Sequence, residues 1–308
     1  MIVTLTLNPA VDKSTDIDRL IPEKKMRSTE MQIDAGGGGI NVSKAIEELG
    51  GASIAVFPCG GINGKVLTEL VRNESVTAQA IEIKGNTREN FVVNELQTNK
   101  QFRFVMPGPS LSEDELNKIQ KAVEALDEAS FLICSGSLPP NVSPHFIGEL
   151  ADTAKRRGIR FIVDTSGAPL KAALEKGVYL LKPNLSELCS LAGKEYLEIS
   201  EIEEAAMEVI KSGQCEVMVV SMGPSGAMLV TKDEVKQFRA PVVKKQSTVG
   251  AGDSMVAGIV WMVDQGKPLV DAVRFGIACG TAATINKGTQ LFKKNDALRF
   301  YNWMEKNG

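Results

Sequence analysis

Six short apolar runs constrain this chain more than any other feature: IVTLTL (2–7), SIAVF (53–57), FLICS (131–135), RFIVD (160–164), VYLLKP (178–183) and EVMVVSM (216–222). Helix-like stretches at about 41–49, 113–125, 144–156 and 201–211 lie between most of them. Runs that are apolar without alternation need cover on both faces, and strands spaced by helices pair in parallel through crossovers. The pattern therefore predicts an α/β fold, a mostly parallel sheet flanked by helices. In such folds ligands sit beyond the carboxyl ends of the strands. Polar residues gather there along this chain: Asn8 and Asp12, Ser135–Ser137, Asp164, Lys182–Asn184 and Ser221–Gly223.

Two regions break the rhythm, about 11–34 and 86–107. The string ENFVVNELQTNKQFRFVMPG reads as a hairpin turning near Thr98–Lys100. Phe102, Phe104 and Met106 alternate with Gln101 and Arg103, so one face is apolar. A small β-sheet of this kind would act as a lid over the site. Its apolar face would pair with a second subunit, giving a homodimer, or pack on its own domain. With no internal repeat or linker, residues 1–308 read as one domain carrying this lid.

Composition excludes several classes. The formal net charge is −3 without a basic tract, which argues against nucleic acid or an anionic membrane as partner. Five scattered cysteines without a C-x-x-C pair argue against a disulfide framework or a zinc site. The single histidine, His145, has no second ligand near it in sequence. The longest apolar run, Met255–Val263, is far shorter than the ~20 residues that span a bilayer. The first residues lack a basic n-region and cleavage pattern, so a cytoplasmic location is expected.

The glycine-rich stretches carry the chemistry. CGGINGKVL is not a phosphate-binding P-loop, because Val66 follows Gly64-Lys65 and the preceding spacing is too short. In STVGAGDSMVAG, Gly250 and Gly252 begin a G-x-G, but Met255 stands where a dinucleotide fingerprint needs its third glycine. A nicotinamide-dependent dehydrogenase gains little from this. DAGGGGINVSKAIEELG sets four glycines, Gly36–Gly39, before a helix opening near Asn41, which could cap that helix or bond a polyol. TVGAGDS has the same grammar, with the amides of Gly250–Asp253 free to face an anion at a helix start. Asp253 could cap that helix or take a proton from an attacking hydroxyl.

GGGGINVSKAIEELGG, SGSLPP (135–140), LLKPNLSEL (180–188), VVSMGPSGAML (219–229) and STVGAGDSMVAG (247–258) together resemble the ribokinase-like (PfkB-type) family of carbohydrate kinases, in the family's order. TLTLNPAVD resembles the branch acting on phosphorylated ketohexoses, where the glycine run commonly reads G-G-K-G; here Gly38 replaces that lysine. The four-glycine run and FRFVMPGPSLSEDE are similar to the minor bacterial 6-phosphofructokinase type.

The resemblance implies a ribokinase-like fold and transfer of phosphate from ATP, with Mg²⁺, to the 1-hydroxyl of fructose 6-phosphate. It makes Asp253 the base, with Gly250, Ala251 and Gly252 as the anion hole. Asp12, Gly37, Gly38, Gly39 and Asn41 would hold sugar hydroxyls. Lys25, Arg27, Arg88 and Ser137 would hold the sugar phosphate, with Arg103 a weaker candidate. Lys182, Asn184, Ser221, Gly223, Gly226, Gly280 and Thr281 would line the nucleotide site, and Glu187 would orient water on magnesium. Carbonyls around Ser247, Val249, Ala283, Asn286 and Gly288 would bind a monovalent cation such as K⁺. Tagatose 6-phosphate and fructose 1-phosphate are the alternative acceptors. A non-catalytic sugar-phosphate or nucleotide sensor on the same fold is the alternative of a different class.

Overall fold

The computed structural model describes residues 1–307. In chain order it opens with β1 (Ile2–Leu5), β2 (Ala10–Ile17), β3 (Gln32–Gly36), α1 (Gly38–Glu48), β4 (Ser53–Cys59), α2 (Gly61–Asn73) and β5 (Thr77–Glu82). There follow β6 (Arg88–Glu95), β7 (Lys100–Val105), α3 (Glu113–Glu124), β8 (Phe131–Ser135), α4 (His145–Arg156), β9 (Arg160–Asp164), α5 (Gly167–Lys176) and β10 (Val178–Leu181). The last third holds α6 (Leu185–Leu191), α7 (Ile199–Lys211), β11 (Cys215–Ser221), β12 (Ala227–Thr231), β13 (Val235–Phe238), α8 (Ala251–Asp264), α9 (Leu269–Thr284) and α10 (Lys294–Asn307).

Nine strands form the main sheet in the order β13-β12-β11-β10-β9-β8-β1-β4-β5. From β11 to β5 every pairing is parallel; β12 and β13 close one edge antiparallel. Each of the six apolar runs overlaps one of the parallel strands. The sequence pattern did not point to β5, β12 or β13. β5 is an edge strand with no fully buried residue, and β12 begins at the end of VVSMGPSGAML, a string read only for its resemblance.

Alternate strand residues feed two large apolar cores, one on each face, and a third, smaller one joins Ala55 and Phe57 of β4 to α2 and to Val11 and Ala35. Val3, Leu5 and Leu132 join α3–α7 on one side, while Ile2, Ile133 and Leu180 join α1, α8, α9 and α10 on the other. α8 is buried without a break from Ser254 to Val260, which accounts for its long apolar run. No helix among the described residues is long and apolar enough to cross a membrane.

The irregular regions form a second sheet, ordered β3-β2-β6-β7. Its polar face, with Asp12, Ser14, Asp34, Gln101 and Arg103, turns toward the main sheet's strand ends. The opposite face carries a cross-strand row of Ile33, Lys13, Phe91 and Phe104, in which Ile33 and Phe104 are exposed.

Candidate active site

The order of the main sheet reverses between β1 and β8, where the connections run to opposite sides. A crevice opens at such a point beyond the strand ends. Asn8 follows β1 there, Ser135 ends β8, Asp164 ends β9, Lys182 follows β10 and Ser221 ends β11.

α8 points its first turn into this crevice. Its N-cap is Gly250, in the left-handed region at φ 72°, a conformation costly for residues with a side chain. Among the described residues the amides of Gly250 and Gly252 have no acceptor, and that of Ala251 reaches the Thr248 carbonyl only at 3.4 Å. Three outward-facing amides at a helix start form an anion seat.

Asp253 does not cap this helix. Its Oδ2 accepts from Asn41 Nδ2 at 2.9 Å and its Oδ1 from Ser135 Oγ at 3.3 Å. Burial, then the neighbouring Asp164 carboxylate, raises its carboxyl to about 6, against the pull of Asn41, Lys182 and Ser135. A carboxylate so raised is poised to accept a proton near neutral pH.

Asn41 departs from the sequence expectation. The helix opens three residues earlier, at Gly38 with Gly37 as N-cap, so Asn41 lies inside the first turn and caps nothing. The glycines permit this: a Cβ at Gly39 would sit 2.7 Å from the Leu5 carbonyl oxygen, and one at Gly36 would overlap the Asp12 carboxylate. α1 thereby presses on the end of β1 and brings Asn41 to Asp253.

Lys182 and Asp164 form an ion pair at 3.2 Å, with side chains only 7% and 15% exposed. In the sequence Asp164 is marked only as a strand-end residue, and the resemblance does not place it among the site residues. A carboxylate closing an apolar parallel strand, RFIVD, was the available signal. A Cβ at Gly252 would lie 3.3 Å from Lys182 Nζ, so this glycine lets the lysine reach the anion seat.

Beside the pair opens a cavity of about 540 Å³, a volume that suits a nucleotide. It is lined by all seven residues expected there: Lys182, Asn184, Ser221, Gly223, Gly226, Gly280 and Thr281. Its apolar wall adds Pro241, Val242, Val243, Met255 and Ile277; the 240–245 segment had carried no sequence signal. At its mouth Asn184 and Glu187 form a capping box on α6, which occupies one Glu187 oxygen. Burial raises the Glu187 carboxyl.

The sequence profile of the pfkB family carbohydrate kinases matches residues 3–296. The chain belongs to that family. This pfkB-family kinase is 42% identical over 306 residues to the ATP-dependent 6-phosphofructokinase isozyme 2 of Escherichia coli strain K12, covering 99% of both chains. Crystal structures of Escherichia coli phosphofructokinase-2 with substrates and products, and with potassium, each match it at a TM-score of 0.95 over 99% of both chains. The 1-phosphofructokinase of Borreliella burgdorferi is 32% identical over 287 residues, 92% of each chain.

The second sheet of the kinase supplies the other wall. Asp12 accepts from Asn90 at 2.8 Å, and burial raises its carboxyl. Arg88 donates to the carbonyls of Asn8 (2.8 Å) and Met106 (3.0 Å), leaving a buried Nε without a partner. Ser137 accepts from Asn8 Nδ2 at 3.2 Å, so Asn8 touches two of the candidate phosphate ligands, Arg88 and Ser137. Arg103, ranked low from sequence, donates to Thr248 Oγ1 at 2.9 Å at the edge of the anion seat.

Lys25 and Arg27 are not brought to the site. Both stand exposed on the loop between β2 and β3 and pair with no site residue of the same chain. Two flexible cations in an irregular loop had no packing to direct them inward.

Ser247 Oγ donates to the Gly288 carbonyl at 2.7 Å and accepts from Val249 N at 3.2 Å, while Ala283 O accepts from Asn286 N at 3.2 Å. The five residues expected around a monovalent cation thus lie on two joined segments. The Asn286 side chain is otherwise engaged, donating to Ala282 and Leu291 carbonyls.

Proposed function

We propose that this kinase transfers the γ-phosphoryl group of ATP to the 1-hydroxyl of fructose 6-phosphate, giving fructose 1,6-bisphosphate in glycolysis. The observation that carries the reading is Asp253: a buried carboxylate with a raised pKa, between the sugar wall and the nucleotide cavity and next to unpaired helix-start amides. A base at that position takes the hydroxyl proton as the oxygen attacks. The amides of Gly250, Ala251 and Gly252 hold the charge spread over the moving phosphoryl oxygens. Asp12, Gly37–Gly39 and Asn41 meet the sugar hydroxyls, while Arg88 and Ser137 hold the 6-phosphate, arginine by charge-assisted bonds.

Magnesium enters with ATP. The Asp164 charge is close enough to raise the Glu187 carboxyl, and each of the two carboxylates keeps one oxygen free of hydrogen bonds among the described residues. Two hard oxygen donors and retained waters suit this ion, which neutralises phosphate charge when bound. Backbone carbonyls of the 247–249 and 283–288 segments suit a potassium ion in the same way.

Fructose 6-phosphate is favoured by the higher identity to the 6-phosphofructokinase relative and by Gly38. ADP release with Mg-ATP tests the choice. Fructose 6-phosphate is expected to exceed tagatose 6-phosphate and fructose 1-phosphate by about tenfold or more in kcat/KM. A preference for fructose 1-phosphate would reverse the acceptor, and no response to any sugar phosphate would favour the sensor reading.

The exposed Ile33 and Phe104 on the outer face of the second sheet support a homodimer formed through the lid, which would also carry Lys25 and Arg27 toward a neighbouring subunit. Phe104→Glu places a charge in that row. Sedimentation should show the variant at half the wild-type mass; an unchanged mass would rule out this face.

A further inference from the structure

Asp253 has two oriented oxygens, and only one partner, Asn41, belongs to a residue already given a role. The other is Ser135, the last residue of β8, 3% exposed, whose Oγ donates to Oδ1 at 3.3 Å. Opposite Ser135 lies Gly38. A Cβ at that position would fall on the Ser135 hydroxyl and within 2.9 Å of its carbonyl carbon. Any side chain at 38 therefore turns the hydroxyl away from the carboxylate or shifts the end of β8.

We propose that Ser135 is a positioning residue for Asp253, and that Gly38 serves this chain by leaving room for the Ser135 hydroxyl to point at that carboxylate. The role rests on the reading of Asp253 as base. A carboxylate one methylene from a helix backbone rotates about χ1 and χ2. Donors on both oxygens, from α1 and from β8, hold it in one plane, so one lone pair faces the incoming hydroxyl. The charged groups facing it are Asp164 from β9 and Lys182 after β10. Neither donates to it, so neither replaces the hydroxyl.

The bland account makes Ser135 a buried strand-end hydroxyl that has merely found an acceptor. The pH profile separates the two. A hydrogen bond to the ionised form favours it, so its loss raises the carboxyl and moves the acid limb of kcat/KM to higher pH. For Ser135→Ala the limb is expected to move up by about one pH unit. Plateau kcat should fall about three- to tenfold, with KM for either substrate within about twofold, since only transition-state geometry is lost. Gly38→Ala should move the limb likewise, and the double variant should move it no further than the larger single shift. An unmoved limb in a folded Ser135→Ala enzyme overturns the assignment, and additive shifts overturn the Gly38 coupling. Asp253→Asn run alongside separates the failures. If it stays active, the base reading falls and takes this role with it; if it is dead while the Ser135→Ala limb is unmoved, only the role of Ser135 falls.

Discussion

Asp253→Asn should lower kcat by about 10²–10⁴-fold, the range for removing a general base, with KM for both substrates nearly unchanged. Asparagine keeps the size of the group and can still accept from Asn41 through its carbonyl, so the variant tests proton acceptance rather than packing. The same change should stabilise the unliganded fold. The folded carboxyl sits at about 6, above its ordinary value, because burial and Asp164 disfavour the charge. The folded chain then holds this proton more tightly than the unfolded chain. Wild-type stability contributed by this group is present below about pH 4 and lost as pH rises through about 6. Near pH 8 the neutral variant should therefore be more stable by on the order of 1–3 kcal/mol, less what the weaker hydrogen bonds take back. Thermal unfolding at pH 5 and pH 8 checks the sign: the gain must be larger at pH 8. Full activity in the variant, or a gain larger at pH 5, would count against Asp253 as a strained base.

The second large effect concerns Asp164. Removing one member of a buried ion pair leaves the other charged and desolvated, at a cost of about 3–5 kcal/mol. Lys182 is nearly inaccessible. Burial pulls its pKa down, but the charge and hydrogen bond of Asp164, helped by Glu187 and Asp253, hold it above the ordinary lysine value. A raised lysine contributes stability fully present below its unfolded pKa and lost only as pH climbs past the folded one, so the pair is intact throughout the neutral range. Asp164→Asn is expected to lower Tm by about 5–8 °C near neutral pH, with a loss that shrinks as pH rises, because burial drives the unpaired lysine to release its proton. KM for Mg-ATP should rise at the same time if the cavity lined by Lys182 holds the nucleotide as proposed, because that lysine loses its anchor. A melting temperature equal to wild type would show that Lys182 finds another partner, and the pair would then have no structural role.

The physics of these two sites explains what was legible along the chain. Runs such as FLICS and RFIVD announce parallel strands because unbroken apolarity demands two covered faces, and that demand is local. The glycine strings announce helix starts near a ligand for an equally local reason: only residues without a side chain allow the backbone to come so close. Lys182, Asn184 and Ser221 line one cavity because each ends or follows a strand, and the strand ends of a parallel sheet meet along one edge. Arg103 reaches Thr248, a contact with no local mark, because an exposed arginine in a hairpin carries no sign of its partner. For Lys25 and Arg27 charge and position in an irregular loop are the only local marks, and within one chain the structure leaves both exposed.

What the sequence by itself determined is the alternation, the helix starts and the residue types available at the strand ends. The tertiary structure alone decided that Asn41, 212 residues from Asp253, and Ser135, 118 residues from it, close on the same carboxylate. It also decided that Asn41 serves this carboxylate rather than a cap, and that Asp164 belongs to the site. Patterns within a dozen residues record which faces must be buried. The meeting of side chains from α1, β8, β9 and α8 depends on strand order and on how closely glycines let helices approach, and no single segment carries that information.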